Sequence, residues 1–532
     1  MLHFRKTLVF GLVLALIIVL PCWSRGSTGS SGGAASSNWR YQKGGPISET
    51  PVTISVLTHT GWAANLAVPN NNLPVYAAMM RRLGINVDWQ ILENATYWET
   101  VFVRLMSRNL PDMAVFPDNV NNAVARMVED RSFLAFTDLN WAENAPYTQD
   151  LFRDPEYAPL EQVFKSIYGD GKIYSFGNLD IPRFMFSNIL VNNVWLRNLG
   201  LSEPNTLDEF YNMLVAFRDN DPNRNGRRDE IPMGIYGVNS MQLAFAGIFG
   251  VDFHYGWELD RNGRLVSSYT TDKYRDYLEF RKRLYDNDLI DKEGRDLTAN
   301  FELAAADRLG SIAYFGSYSQ EFTEYSPSYN ASQGNYVFRE LLPLYNPYSG
   351  KREKLSRLAA PTDEGLFILS GARYPEVCLR FADWLWASPD YEMLMNFGVE
   401  GLSYDIINGV ITPKEPPNYR GNVPYLISIG GDQPPWAHRQ SEAAWRLSYP
   451  KWMNDRADEI KPFYVDGLMP AVLSPSDQTL AARYRPDVDT FRSEMRENFI
   501  TGRRPLSQYN DYVRELNALG MDRLREIYQK YH

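Results

Sequence analysis

The chain is 532 residues long, more than one hydrophobic core usually holds, so two or more globular units are expected. Hydrophobic residues at 44% and charged residues at 22% exclude a wholly disordered chain, and the formal net charge of −10 is a poor basis for gripping nucleic acid through its phosphates. With only Cys22 and Cys378 there is no disulfide framework, and neither the cysteines nor the five histidines fall at zinc-ligand spacing.

Arg5 and Lys6 precede an apolar run from Leu8 to Leu20, and Pro21-Cys22 follows. That is the pattern of a secretory signal; roughly 20 apolar residues would be needed to span a bilayer. Leu-Pro-Cys resembles a bacterial lipoprotein box, whose cysteine becomes the lipidated first residue of the mature chain, although Pro21 stands where the box favours a small residue. Cys22 is the expected lipidation site; the alternative is ordinary cleavage of residues 1–21 and secretion. Residues 24–37 (SRGSTGSSGGAASS) have no hydrophobic period and read as a flexible tether with a reach of roughly 20 Å.

The folded body opens with a β-branched strand, 51–57 (PVTISVL), and a Gly/Asn-rich loop. Residues 75–84 read as a helix stopped by Gly84, 85–92 as a second strand, 97–108 as a helix and 112–116 as a third strand. This rhythm predicts a parallel sheet of α/β type, with ligands beyond the carboxyl ends of its strands, near 58–62 and 117–119. Further on, 171–176 and 188–196 read as strands or crossing segments, and 204–221 as a helix whose Thr206 and Glu209 form a capping box. Residues 310–316 and 364–369 read as buried strands, 374–388 as a helix, and 505–530 as a surface helix. No run repeats at a fixed period.

The sharpest local motif is Asp221-Pro-Asn-Arg-Asn-Gly-Arg-Arg-Asp-Glu230. Oxygen-bearing side chains stand at its positions 1, 3, 5 and 9 (Asp221, Asn223, Asn225, Asp229), with glycine at 6 and the Arg227 carbonyl at 7, the opening of a calcium loop. Pro232 replaces the usual glutamate at position 12, and Glu230 offers a substitute carboxylate. The same residues also make a plain Asx/Gly turn without metal.

Four segments together resemble the extracellular solute-binding proteins of ABC importers, family 1, especially calcium-containing Gram-positive lipoproteins and alginate-oligosaccharide binders. They are 105–116 (LMSRNLPDMAVF), 168–176 (YGDGKIYSF), 194–232 with its helix, cap and acidic loop, and 381–406. The resemblance covers most of residues 50–410. It implies an α/β, two-lobed periplasmic-binding-protein type II fold with discontinuous lobes and a hinge. Lobe one is expected at 50–170 plus 338–395, and lobe two at 171–337 plus 396–532. It implies structural Ca²⁺ on Asp221, Asn223, Asn225, Arg227, Asp229 and Glu230. It also implies a monomeric, non-catalytic carrier on the outer face of the cytoplasmic membrane, delivering a carbohydrate to an ABC permease.

Sugar sites need flat aromatic faces and planar polar groups. Trp62 after the first strand, Trp257, Tyr318 after the 310–316 strand and Trp436 in a polar loop are the candidate ring contacts, each with a core role as the alternative. Asp118 beyond the third strand is a candidate hydroxyl acceptor or a helix cap. Trp384 and Trp386 share a helix, and at least one is expected in the core. A secreted glycoside hydrolase and a calcium-stiffened adhesin are the rival readings; no G-x-S-x-G, H-E-x-x-H or P-loop motif proposes another chemistry.

Overall fold

The apolar runs near the start of the body become buried strands, and their spacing by helices makes them parallel. In the computed structural model, residues 39–532 are described except 61–67, 106–109, 119–121, 156, 178–186, 254, 330–335, 357–362, 409, 415–421, 432–441, 443–445, 447–448, 469–470 and 472. Nine strands build two sheets: Thr53–His59 (β1), Asn86–Leu92 (β2), Met113–Asp118 (β3), Phe133–Leu134 (β4), Ser187–Asn192 (β5), Gly234–Ile235 (β6), Ser311–Phe315 (β7), Phe338–Glu340 (β8) and Asp363–Leu369 (β9).

The first sheet has the order β2-β1-β3-β9-β4 and the second β8-β5-β7-β6. β1 runs parallel to β2 and β3, as the sequence predicted, and β9 is antiparallel to β3 with Asp363 opposite Asp118. After its first residue β1 is buried throughout, as a strand covered on both faces must be. In the second sheet β7 is parallel to β6, and β5 is antiparallel to both β7 and β8.

The helices needed below are Pro74–Leu83 (α1), Tyr97–Leu105 (α2), Leu207–Asp219 (α3), Gly237–Phe249 (α4), Pro375–Ala387 (α5), Arg485–Ile500 (α6) and Met521–Gln529 (α7). α1 ends where expected: Gly84 takes φ 66° and its N–H reaches the Met80 carbonyl. At α3 the Thr206 hydroxyl accepts from the Glu209 N–H at 3.2 Å, and the Glu209 carboxylate accepts from the Asn205 N–H at 2.6 Å, one residue before the cap. The capping box is thus realised with its return bond displaced by one position.

Each sheet carries its own core. Val56, Met113 and Ile368 pack with Met79, Trp384 and Trp386 on one face of the first sheet, and Leu57, Phe116 and Phe367 pack on the other. Both tryptophans of α5 are buried, and Trp386 stacks on Phe176 at 4.6 Å. In the second sheet Val191 and Ala313 face Trp195, Phe217 and Phe245, while Leu190, Ile312 and Phe338 face the opposite side.

Three sequence expectations change. The segment 188–196 is a strand only to Asn192; its side chain then accepts from the Val194 and Trp195 N–H groups and starts a helix, Asn193–Leu199. Of the two readings of 171–176, strand or crossing segment, the strand is not formed, and Ile173 and Phe176 enter the core from irregular backbone. The C-terminal helix is broken at Gly520, whose φ of 120° favours glycine.

The expected lobe boundaries also differ from the placement of the chain. β8 is hydrogen-bonded into the second sheet, whereas Ile173, Phe176, Leu426 and Ile429 pack in the core of the first. Four sequence blocks still suffice, with the boundaries moved: buried core residues of the first sheet fall at 47–176 and 366–429, and those of the second at 189–344 and 473–528.

Candidate functional site

Residues Asp221–Glu230 leave α3 as a tight loop pinned at both sides. Asp221 and Arg224 have φ of 48° and 59°, and Gly226 one of 74°. The Asp221 carboxylate accepts from the Asn225 and Gly226 N–H groups, each at 3.0 Å, and Asn223 Oδ1 accepts from Asn225 N–H at 3.1 Å. Asn225 Oδ1 accepts from the Arg227 N–H at 2.7 Å, while its Nδ2 donates to Asp229 at 3.0 Å. Asn223 Nδ2 donates to the Asp307 carbonyl and Arg308 Nε to the Asp229 carbonyl, each at 2.8 Å. Ile231 then bridges to Leu309 beside β7.

One atom in this loop is left over. Glu230 Oε1 is buried without a hydrogen-bond partner. Burial, with Asp229 and Asp221 close by, pushes the Glu230 carboxyl above the usual carboxylate range. A buried orphan carboxylate oxygen beside two further acids, with Asn oxygens in the same turn, is a donor set suited to a hard divalent cation. Among the described residues no group of three or more His, Cys, Asp or Glu side chains is gathered as a metal site by those types alone. Amide and backbone oxygens would have to complete the shell.

A second cluster lies at the carboxyl ends of β6 and β7. Tyr314, on β7, has Tyr236 at 5.0 Å and Tyr318 at 4.7 Å, both edge-on. Tyr236 and the β7-terminal Phe315 are among the exposed large apolar side chains. Burial and the neighbouring Tyr318 hold the Tyr314 hydroxyl well above its ordinary value, so it is protonated at any physiological pH. Beneath this end of the sheet, buried Asn188 donates to the Glu340 carboxylate and accepts from Lys354. Burial lowers the Lys354 ammonium to about 8, against the opposing pull of Glu340. Gly316 is required here, because a Cβ would stand 2.5 Å from Glu340 Oε1.

The predicted ligand contacts fare unequally. Tyr318 is half-buried within the aromatic cluster. Trp257 is 6% exposed and packs on Tyr528 at 5.3 Å, away from that cluster and within the core of the second sheet. Asp118, expected beyond the third strand, is instead the last residue of β3, opposite Asp363. Trp62, Trp436 and Cys22 lie outside the described residues. Tyr236 and Phe315 escaped sequence reading: Tyr236 follows a two-residue strand too short to register as a period, and Phe315 fell inside the run 310–316 read as a buried strand.

No family model matches the chain. Over 485 residues it is 25% identical to lipoprotein LipO of Bacillus subtilis, covering 87% of each chain. Over 499 residues it is 24% identical to the fructooligosaccharide ABC transporter substrate-binding protein FusA of Streptococcus pneumoniae, again covering 87% of each. Among solved structures, the alginate-binding protein AlgQ2 without calcium ion superposes with a TM-score of 0.72 at 20% identity, over 92% of this chain and 99% of that one. FusA with kestose superposes at 0.69 and 19% identity over 90% and 98%, and an EF-hand mutant of FusA has also been solved. The fold is that of the two-lobed α/β solute-binding proteins. These relatives bear out the resemblance to the extracellular solute-binding proteins of family 1.

Proposed function

We propose that this protein is the extracytoplasmic substrate-binding component of an ABC importer, capturing an oligosaccharide between two lobes and presenting it to a membrane permease. One lobe is built on the first sheet and the other on the second. A ligand touching both favours the closed form by its differential affinity, and closure is what a permease reads. The carrying observation is the aromatic cluster of Tyr236, Tyr314, Phe315 and Tyr318 at the strand ends of the second sheet, in a chain related over most of its length to FusA and LipO. Flat rings at strand ends suit the apolar faces of sugars. Trp62, Asp118 and Trp436 are the proposed contacts from elsewhere in the chain, while Trp257 is better explained as a core residue.

The protein binds and releases; it does no chemistry on its guest. Asp221, Asn223, Asn225, Asp229, Glu230 and the Arg227 carbonyl are proposed to hold Ca²⁺, which would neutralise three carboxylates where α3 joins the β7 side of the sheet. Among the described residues no helix is long and apolar enough to cross a membrane. Attachment is assigned to a lipid on Cys22, with a monomer as the working unit.

Calorimetric titration with a panel of fructo-, algino- and malto-oligosaccharides tests this reading, with the sugar recovered and weighed afterwards. Saturable binding of an intact sugar, weakened by Phe315→Ala or Tyr236→Ala, supports a carrier. A shortened sugar indicates a hydrolase, and no binding to any member of the panel leaves an adhesive role.

A further inference from the structure

A cavity of about 650 Å³ opens in the second sheet's core region, bounded by α4, α6 and α7 and by Trp257 and Tyr269. Its lining draws on no residue of the first sheet's cores. Helical spacing brings Arg485, Asp489, Arg492 and Arg496 of α6 onto this one wall. Arg492 lies over the Tyr269 ring at 4.0 Å and pairs with Asp489 at 3.2 Å. Arg496 donates to Gln242 Oε1 at 3.0 Å and pairs with Glu497 at 3.3 Å, and Arg485 donates to the Tyr528 hydroxyl.

Two donors of the cavity lining have no acceptor. Gln242 is 4% exposed, its carbonyl is taken by Arg496, and its Nε2 is buried without a partner. Arg492 Nε is likewise buried and unpartnered. A buried N–H without an acceptor is costly, and native proteins seldom keep one that a ligand or solvent does not satisfy. Asp489 is the one carboxylate of the lining and Glu497 pairs with Arg496 beside it, so three guanidinium groups against two carboxylates leave a surplus of donors and one positive charge. An apolar or neutral guest would leave that surplus unmet. The volume falls in the range of ligand sites and exceeds the need of a bare inorganic ion.

We propose that this cavity is a second, separate ligand site, taking a small organic anion: a carboxylate or phosphate carried on a body of sugar size. Arg492, Arg496 and Arg485 meet the anionic group, and Gln242 Nε2 supplies a directional donor from the floor. A guanidinium–oxyanion bond is charge-assisted, so affinity falls as salt rises.

The test is calorimetric titration of the full chain with glucose 6-phosphate, with glucuronate, and with glucose as the neutral control. One or both anionic probes are expected to bind at one equivalent while glucose does not. Arg496→Met and Arg485→Gln should each weaken binding by about tenfold, and Ser493→Trp, which fills the cavity, should abolish it. Arg485 is exposed, so its variant and Ser493→Trp still decide the matter if Arg496→Met fails to fold. Absence of binding by both anionic probes, or equal affinity in the Arg485→Gln and Ser493→Trp proteins, overturns the proposal. Because no residue of the aromatic cluster is altered, loss of oligosaccharide capture would not be mistaken for loss of this site.

Discussion

At the scale of single residues, the acidic loop and one buried aspartate make the clearest commitments. A cation bound by the folded chain alone stabilises it by about 2.7 kcal/mol at a hundredfold excess over its dissociation constant. Chelation is therefore expected to lower the melting temperature of the native protein, and Asp221→Ala to abolish that response; an unchanged melting curve in chelator contradicts the calcium assignment. Asp383, on α5, accepts the Tyr147 and Thr148 N–H groups at 3.1 and 2.7 Å, capping the helix Pro146–Arg153 from a distant part of the chain. Burial pushes its carboxyl up to about 7, with those hydrogen bonds pulling the other way. The folded state thus holds this proton more tightly than the unfolded one. Asp383 therefore adds stability as pH falls from about 7 towards about 4, and the contribution is lost as pH rises through the folded value. Denaturant melts across that range should show the slope in the native protein and not in Asp383→Asn. The loop was legible because turn chemistry is local: Asp-Pro-Asn and Asn-Gly announce themselves in ten residues. Asp383 was not, because its partners lie 235 and 236 positions away.

At the scale of elements, glycine and capping decide how the second sheet is assembled. α4 packs so closely on the strand Lys354–Ser356 that a Cβ on Gly247 would lie 2.3 Å from the Glu353 carbonyl and 2.6 Å from the Leu355 N–H. Both obstacles are backbone and cannot rotate away. Gly247→Ala is expected to cost about 1–3 kcal/mol or more in urea unfolding, despite alanine's better helix propensity. Thr206→Ala should cost about 1 kcal/mol by removing the cap of α3. Parallel β1, β2 and β3 were readable because β1 is an apolar buried run, β2 alternates apolar and polar residues as an edge strand does, and helices separate the three, the first with a glycine stop. The helix Asn193–Leu199 was not, since NNVWL continues the apolar run of β5; only the Asn192 side chain turns the backbone. The break in the C-terminal helix depends on Gly520 meeting Tyr484, whose ring stands 2.5 Å from where a Cβ would be, a contact no periodicity reveals.

At the scale of the whole molecule, two sheets with separate cores are stitched by segments that leave one core and enter the other. The class of fold could be read from strand–helix rhythm and from motif resemblance, but the stitching could not. β8 is only Phe338-Arg339-Glu340, too short and too charged to announce a strand, and only its bonds to β5 assign it to the second sheet. The same holds for Leu426 and Ile429, which lie late in the chain yet complete the first core. Such crossing connections suit the proposed closure: each half would move on its own core, with bending at the crossings. Small-angle scattering with and without a saturating oligosaccharide tests this most directly. A smaller radius of gyration in the bound sample is the predicted result; superimposable curves at demonstrated saturation would contradict capture by closure of two lobes.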